Sequence, residues 1–286
     1  MKLNFKDALA ALAGALPAVL FRAVFYITGG FLVILVFGVA LFALRLAGGV
    51  SAGMATLAIA LALLGGLLAI RLWQRLFLYR RHAALLFLFS GRPQAAAGLA
   101  GAAREAKRFF PDRSSWGALN RRLRQAQVFF IRGGSEFAAP LSVAPAGFIG
   151  DAVDLASAGV LSQAVISLAF AREGGDAAAA VREALALFYR HGRESRRLAR
   201  RWLLFSLAAL ALLFLCLAGP NWLFFRAAGV PAGIAIVLAL AIAWLLHQAF
   251  VVPLVLAGVS TALLAETRGQ EPDPALCAKV GPLVTP

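Results

Sequence analysis

A chain of 286 residues that is 62% hydrophobic, with a mean hydropathy of +0.83, lies well outside the composition of a soluble globule. Its formal charge of +15 comes from arginines set between long apolar runs, so membrane topology and anionic lipid account for it and no nucleic-acid partner is expected. The two cysteines, Cys216 and Cys277, cannot form a disulfide framework and have no neighbour at metal-ligand spacing.

Residues 1–16 place Leu3, Leu9, Leu12 and Leu16 near one helical face, with Lys6 and Asp7 to the side. This pattern predicts an amphipathic helix lying in the membrane interface and ending at Pro17. Arg22 then marks the cytoplasmic edge of the first span, where its guanidinium is expected to snorkel to headgroups. The apolar runs 23–44 and 51–70 follow. At about 1.5 Å per residue, each can cross a hydrocarbon core of about 30 Å as a helix. Together they predict a first transmembrane hairpin over 17–71. Gly49 and Gly53 form a small-xxx-small pair where the second span begins, and Gly229 and Gly233 repeat that spacing at the fourth. All four are expected helix-packing positions.

Residues 72–201 read as a basic helical segment. From Arg71 to Arg201 the chain holds 21 of its 28 basic residues but only nine of its 13 acids, whereas the two external connections carry only Arg45 and Arg226. The positive-inside rule then puts this segment and both termini in the cytoplasm. Within it, a helix continues to Phe89 and is broken at Gly91-Arg92-Pro93. An Ala-rich helix over 94–110 stops at Pro111, and another over 115–131 is capped by Asp112 or Ser114. Residues 137–150 read as loop, and Asp151 is placed to cap a helix over 152–172. That helix is apolar almost all round yet short for a span. It fits a buried cytoplasmic helix, a re-entrant or interface-embedded segment, or a fifth crossing.

Asp176 can cap a helix over 177–201 that runs on into the third span at Trp202. On it, Arg190, Arg193, Arg197, Arg200 and Arg201 form a stripe suited to anions or lipid headgroups. The second hairpin covers 202–265. Its third span is expected to stop at Gly219-Pro220, and Pro253 is expected to kink its long fourth run. His247 and Gln248, in the middle of that run, are the candidate intramembrane polar site. Residues 266–286, with Pro272, Pro274, Pro282 and Pro286, read as a flexible cytoplasmic tail.

The sequence contains no GxxxxGK[ST], HExxH, GxSxG or paired CxxC motif, so no catalytic residue, metal or cofactor is expected. The fold class is all-α: four transmembrane helices in two hairpins, with the basic segment between them. The composition is that of a high-GC bacterial inner-membrane protein. Two functions fit it. One is a homo-oligomeric channel or transporter for a small solute, anions being favoured. The other is a non-enzymatic scaffold or envelope-assembly factor whose basic helices bind anionic lipid or a protein partner.

Overall fold

The computed structural model describes residues 4–46, 52–77, 79–92, 98–131, 148–172, 176–227 and 232–284. Among them the regular structure is helical, with no strand. In chain order the helices are α1 (Phe5–Gly14), α2 (Leu16–Leu46), α3 (Ala52–Phe77), α4 (Tyr79–Phe89), α5 (Gly98–Phe109), α6 (Arg113–Ile131), α7 (Phe148–Ala171) and α8 (Ala177–Arg190). They continue with α9 (Gly192–Ala227), α10 (Ala232–Leu246), a π-helical turn (His247–Val251), α11 (Val252–Thr267) and α12 (Pro274–Val284). Three stretches are long and apolar enough to cross a membrane: Leu16–Val33, Gly192–Phe224 and Ala232–Thr267. The chain therefore has the helices of a multi-pass membrane protein. The expected second span forms as α3, but within it only the shorter stretch Ala60–Ile70 stands out as apolar.

The chain divides into two units. The first comprises 1–18, 79–205 and 253–286. Its central helix is α7, packed against α4, α6 and α8. From Ser157 to Phe170 nearly every side chain of α7 is buried, including Leu161, Val165, Ile166 and Phe170. Phe170 gathers the rings of Phe87, Phe109 and Phe110, with centroids 5.4, 4.9 and 5.8 Å away. From Ser157 to Phe170 the helix is enclosed by protein, which explains why its apolar character shows no single face. It begins at Phe148, so Asp151 lies inside the helix rather than capping it.

Helix starts in this unit follow their caps. Asp112 accepts from the Ser115 N–H at 2.7 Å, and Asp176 from the Ala178 N–H at 3.0 Å. The tail departs from the expected flexible segment, because α12 forms and packs on α8 and α6 with Val280 fully buried. The prolines explain it. Asp273 caps the helix through the Ala275 N–H at 2.8 Å, and Pro274 occupies the first helical position, where its missing N–H costs nothing.

The second unit comprises 19–78 and 206–252. Here Tyr26, Ile70, Leu245 and Ala249 form one buried cluster, and Leu63, Ile234 and Ala241 another. Outward-facing side chains are large and apolar, among them Phe31, Leu35, Val39, Leu57, Leu61, Leu212 and Leu215. The expected stop at Gly219-Pro220 is not one: α9 runs through Pro220 to Ala227. One residue on, the Asn221 side chain donates to Leu217 O at 2.8 Å, a bond within its own helix.

Two of the four glycines expected to pack helices fall within described helices. Gly49 and Gly229 lie outside the described residues, while Gly53 and Gly233 fall within α3 and α10. Close approach is shown at Gly30 and Gly66. A Cβ on Gly30 would collide with Leu245, and one on Gly66 with Val33.

Candidate functional site

Two polar constellations emerge, one in each unit. In the second unit the polar centre is the π turn. Val252 N–H bonds back five residues to His247 O, and the next residue, Pro253, has no N–H to offer the carbonyl that follows, that of Gln248. Arg22 fills the place, its Nε donating to Gln248 O at 2.9 Å. The guanidinium carbon lies 5.1 Å from the Tyr26 ring centroid, and the residue is buried. This corrects the expectation that Arg22 snorkels outward.

His247 is buried on the same turn. Its Nε2 lies 2.7 Å from Ser206 Oγ and 3.1 Å from Ser206 O. With its proton on Nε2 the imidazole donates to the carbonyl; with it on Nδ1 it accepts from the hydroxyl. Either form ties α9 to the turn, while Nδ1 has no partner among the described residues. Of the predicted pair, His247 therefore contributes its ring and Gln248 its main-chain carbonyl.

The arginine stripe is interrupted. His191 ends α8 and its carbonyl accepts the Ser195 N–H at 3.0 Å to start α9, so the expected single helix 177–201 is two. Arg190 belongs to the first, and Arg193, Arg197, Arg200 and Arg201 to the second. Arg190, Arg193, Arg197 and Arg201 are exposed and Arg200 is half-buried, which leaves a cationic surface in the first unit.

The same unit also holds an open cleft of about 800 Å³ between α1, α4, α7 and α11. Leu88, Phe89, Leu168 and Leu264 supply apolar wall, and the charged lining residues are Asp7, Arg172 and Arg268. Arg172 is held by Glu183 at 3.3 Å and by Gln270 O at 3.3 Å. Arg268 is exposed and has no hydrogen bond or ion pair among the described residues. Gly91 and Gly269, both with φ near +70°, turn the chain at this lining, a conformation glycine adopts without strain.

The chain matches no family model, no curated protein and no solved structure. Its functional reading therefore rests on its own geometry. Arg172 and Arg268 are not among the residues the sequence marks as candidate sites. Their signal is that each is the first cation after a long apolar helix, and each is followed within two residues by glycine. That placement sets a charge where apolar wall ends.

Proposed function

We propose that this protein is a four-span, multi-pass membrane protein of a bacterial inner membrane that acts as a non-enzymatic scaffold, holding anionic phospholipid on a basic helical unit that faces the cytoplasm. Each segment of the second unit (α2, α3, the latter part of α9, and α10 with the π turn) has about 20 residues or more, enough for about 30 Å of hydrocarbon. Their exposed leucines and phenylalanines suit acyl chains. The arginine distribution favours both termini and the first unit on the cytoplasmic side.

The observation that carries the lipid reading is the cleft. Its volume lies in the range of ligand pockets, apolar residues dominate its wall, and its lining carries Arg268, which has no hydrogen bond or ion pair among the described residues. An anionic headgroup paired with Arg268, with acyl carbons along Leu88 and Leu264, uses both kinds of surface. The exposed arginines of α9 add a long-range attraction to the same leaflet. The test is lipid analysis of protein purified in mild detergent, comparing the parent with Arg268→Glu, a change at an exposed side chain. Reduced phosphatidylglycerol or cardiolipin per chain supports the reading; unchanged content overturns it.

A second reading, an oligomeric channel or transporter, draws on the His247 turn. A buried imidazole whose Nδ1 has no partner among the described residues, set on a π turn, is suited to relaying a proton or contacting a solute. It requires a discrete oligomer in native mass spectrometry and flux in proteoliposomes that His247→Ala reduces. A monomer without flux rules it out.

A further inference from the structure

The junction between α8 and α9 brings together side chains that are distant in sequence. His191, Glu194 and Glu266 each present a ligand-capable atom, and these atoms all lie within 4.8 Å of one another. Gln270, one turn beyond Glu266 on the same stretch of chain, places its side-chain oxygen 2.9 Å from His191 Nε2. Four donors thus converge from two places: the helix break at 191–194, and the end of α11 with the turn that follows it.

The break makes this possible. In a continuous helix 177–201, residue 191 would follow the helical face of its neighbours. Instead its backbone leaves helical geometry, with φ −106° and ψ 18°, and its side chain meets Gln270. Gly192, buried and without a side chain, lets the next helix start at once. The Glu266 carboxylate is half-buried and makes no side-chain hydrogen bond or ion pair among the described residues, although arginines abound in this unit.

We propose that His191, Glu194 and Glu266, with Gln270 as an accessory oxygen donor, bind one divalent transition-metal ion of the zinc or manganese class. One imidazole and two carboxylates form a donor set that both metals accept. The two carboxylates also balance the charge of a divalent ion, so the loaded site adds no net positive charge to an arginine-rich surface. Modest side-chain rotation brings atoms separated by up to 4.8 Å to the spacing of ligands that each sit about 2.1 Å from a common ion. The ion would fasten α11 to the α8–α9 junction, a structural role.

The test uses the full-length protein in lipid nanodiscs, with any affinity tag removed and with Cys216→Ser and Cys277→Ser in the background to remove thiol ligands. Zn²⁺ and Mn²⁺ are titrated by calorimetry, and bound metal is counted after gel filtration. The proposal expects one ion per chain and a thermal midpoint raised by several degrees. Glu266→Gln, nearly isosteric, should weaken binding at least tenfold, and His191→Ala likewise. No stoichiometric binding by the parent overturns the proposal, as does binding of equal affinity in Glu266→Gln. Should His191→Ala not fold, Glu266→Gln and Glu194→Gln decide the outcome, each checked for helicity and monodispersity.

Discussion

Arg22 on α2 donates from Nε to the main-chain carbonyl of Gln248, 226 residues away, at 2.9 Å. The bond follows from Pro253, whose ring nitrogen cannot reach back to close the helix. A buried carbonyl without a donor is costly in an apolar surrounding, and a guanidinium resting over Tyr26 supplies one.

Arg22→Met should therefore lower stability by about 1–3 kcal/mol, since it removes the donor but keeps most of the apolar stem. Pro253→Ala restores an N–H one turn on and should recover part of that loss in the double variant. Thermal unfolding of all four proteins in one detergent gives the coupling between the two positions. Strict additivity would show that the proline and the arginine are not linked in this way.

Gly258 and Gly117 form a contrasting pair. A Cβ at Gly258 would collide with the indole of Trp202, which is itself fully buried and contacts Phe5 and Phe205 at 4.8 and 5.6 Å. Gly258→Ala should destabilise by about 1–3 kcal/mol through overpacking. Gly117, inside α6, has open space at its Cβ position. Gly117→Ala should be neutral or stabilise by up to about 1 kcal/mol. Paired melting curves check both signs.

Tyr189 gives the first unit an alkaline limit. Burial pushes its phenol well above the ordinary tyrosine value of 10.0, and its hydroxyl donates to Ala126 O at 3.3 Å. The folded state holds the phenolic proton more tightly than the unfolded chain does. The stabilisation is thus complete below about pH 10 and is lost as pH rises from there toward the folded-state value. Tyr189→Phe should abolish this component, flattening stability between about pH 10 and 11 relative to the parent. Chemical denaturation across that interval measures it, and parallel curves would contradict the assignment.

Asp112 works in the opposite direction. The Ser115 N–H and the Ser114 hydroxyl, each 2.7 Å from Oδ1, hold its carboxyl below the ordinary range. Its contribution is present above the unfolded-state value and falls away as pH drops through the folded-state one. Asp112→Ala should reduce the thermal midpoint at pH 7 and lose that part of the acid sensitivity. Melting curves of both proteins at pH 7 and pH 3 test this.

Topology can be read with single cysteines in a background lacking Cys216 and Cys277. Arg121 in the first unit and Ala227 at the end of α9 are both exposed. With four spans and a cytoplasmic first unit, an impermeant maleimide added to intact cells should label Ala227→Cys but not Arg121→Cys. The reverse pattern, or labelling of both from one side, would require a different number of crossings or the opposite orientation.

Much of the helical layout was legible in one dimension. Runs of apolar residues report helices in lipid because the backbone there has no other way to satisfy its hydrogen bonds, and Asp112 and Asp176 announce their helices by offering a side-chain acceptor at the right step. The misjudged elements were those where a local signal has two outcomes. Proline at 220 suggests a stop and proline at 274 a flexible tail, yet one lies within α9 and the other starts α12. The choice depends on neighbouring donors and caps that a residue type alone does not reveal.

What the sequence determined by itself was the all-helical character, the long apolar helices and the basic region between them, because these depend on composition over a few turns. Tertiary structure alone decided that α7 is enclosed on nearly all sides, that Arg22 turns inward to a carbonyl, that Gly30, Gly66 and Gly258 sit at close contacts, and that His191 lies near Glu266 and Gln270. Each of these joins residues far apart in the chain. Their proximity is set by how helix faces pack, which helical periodicity leaves undetermined.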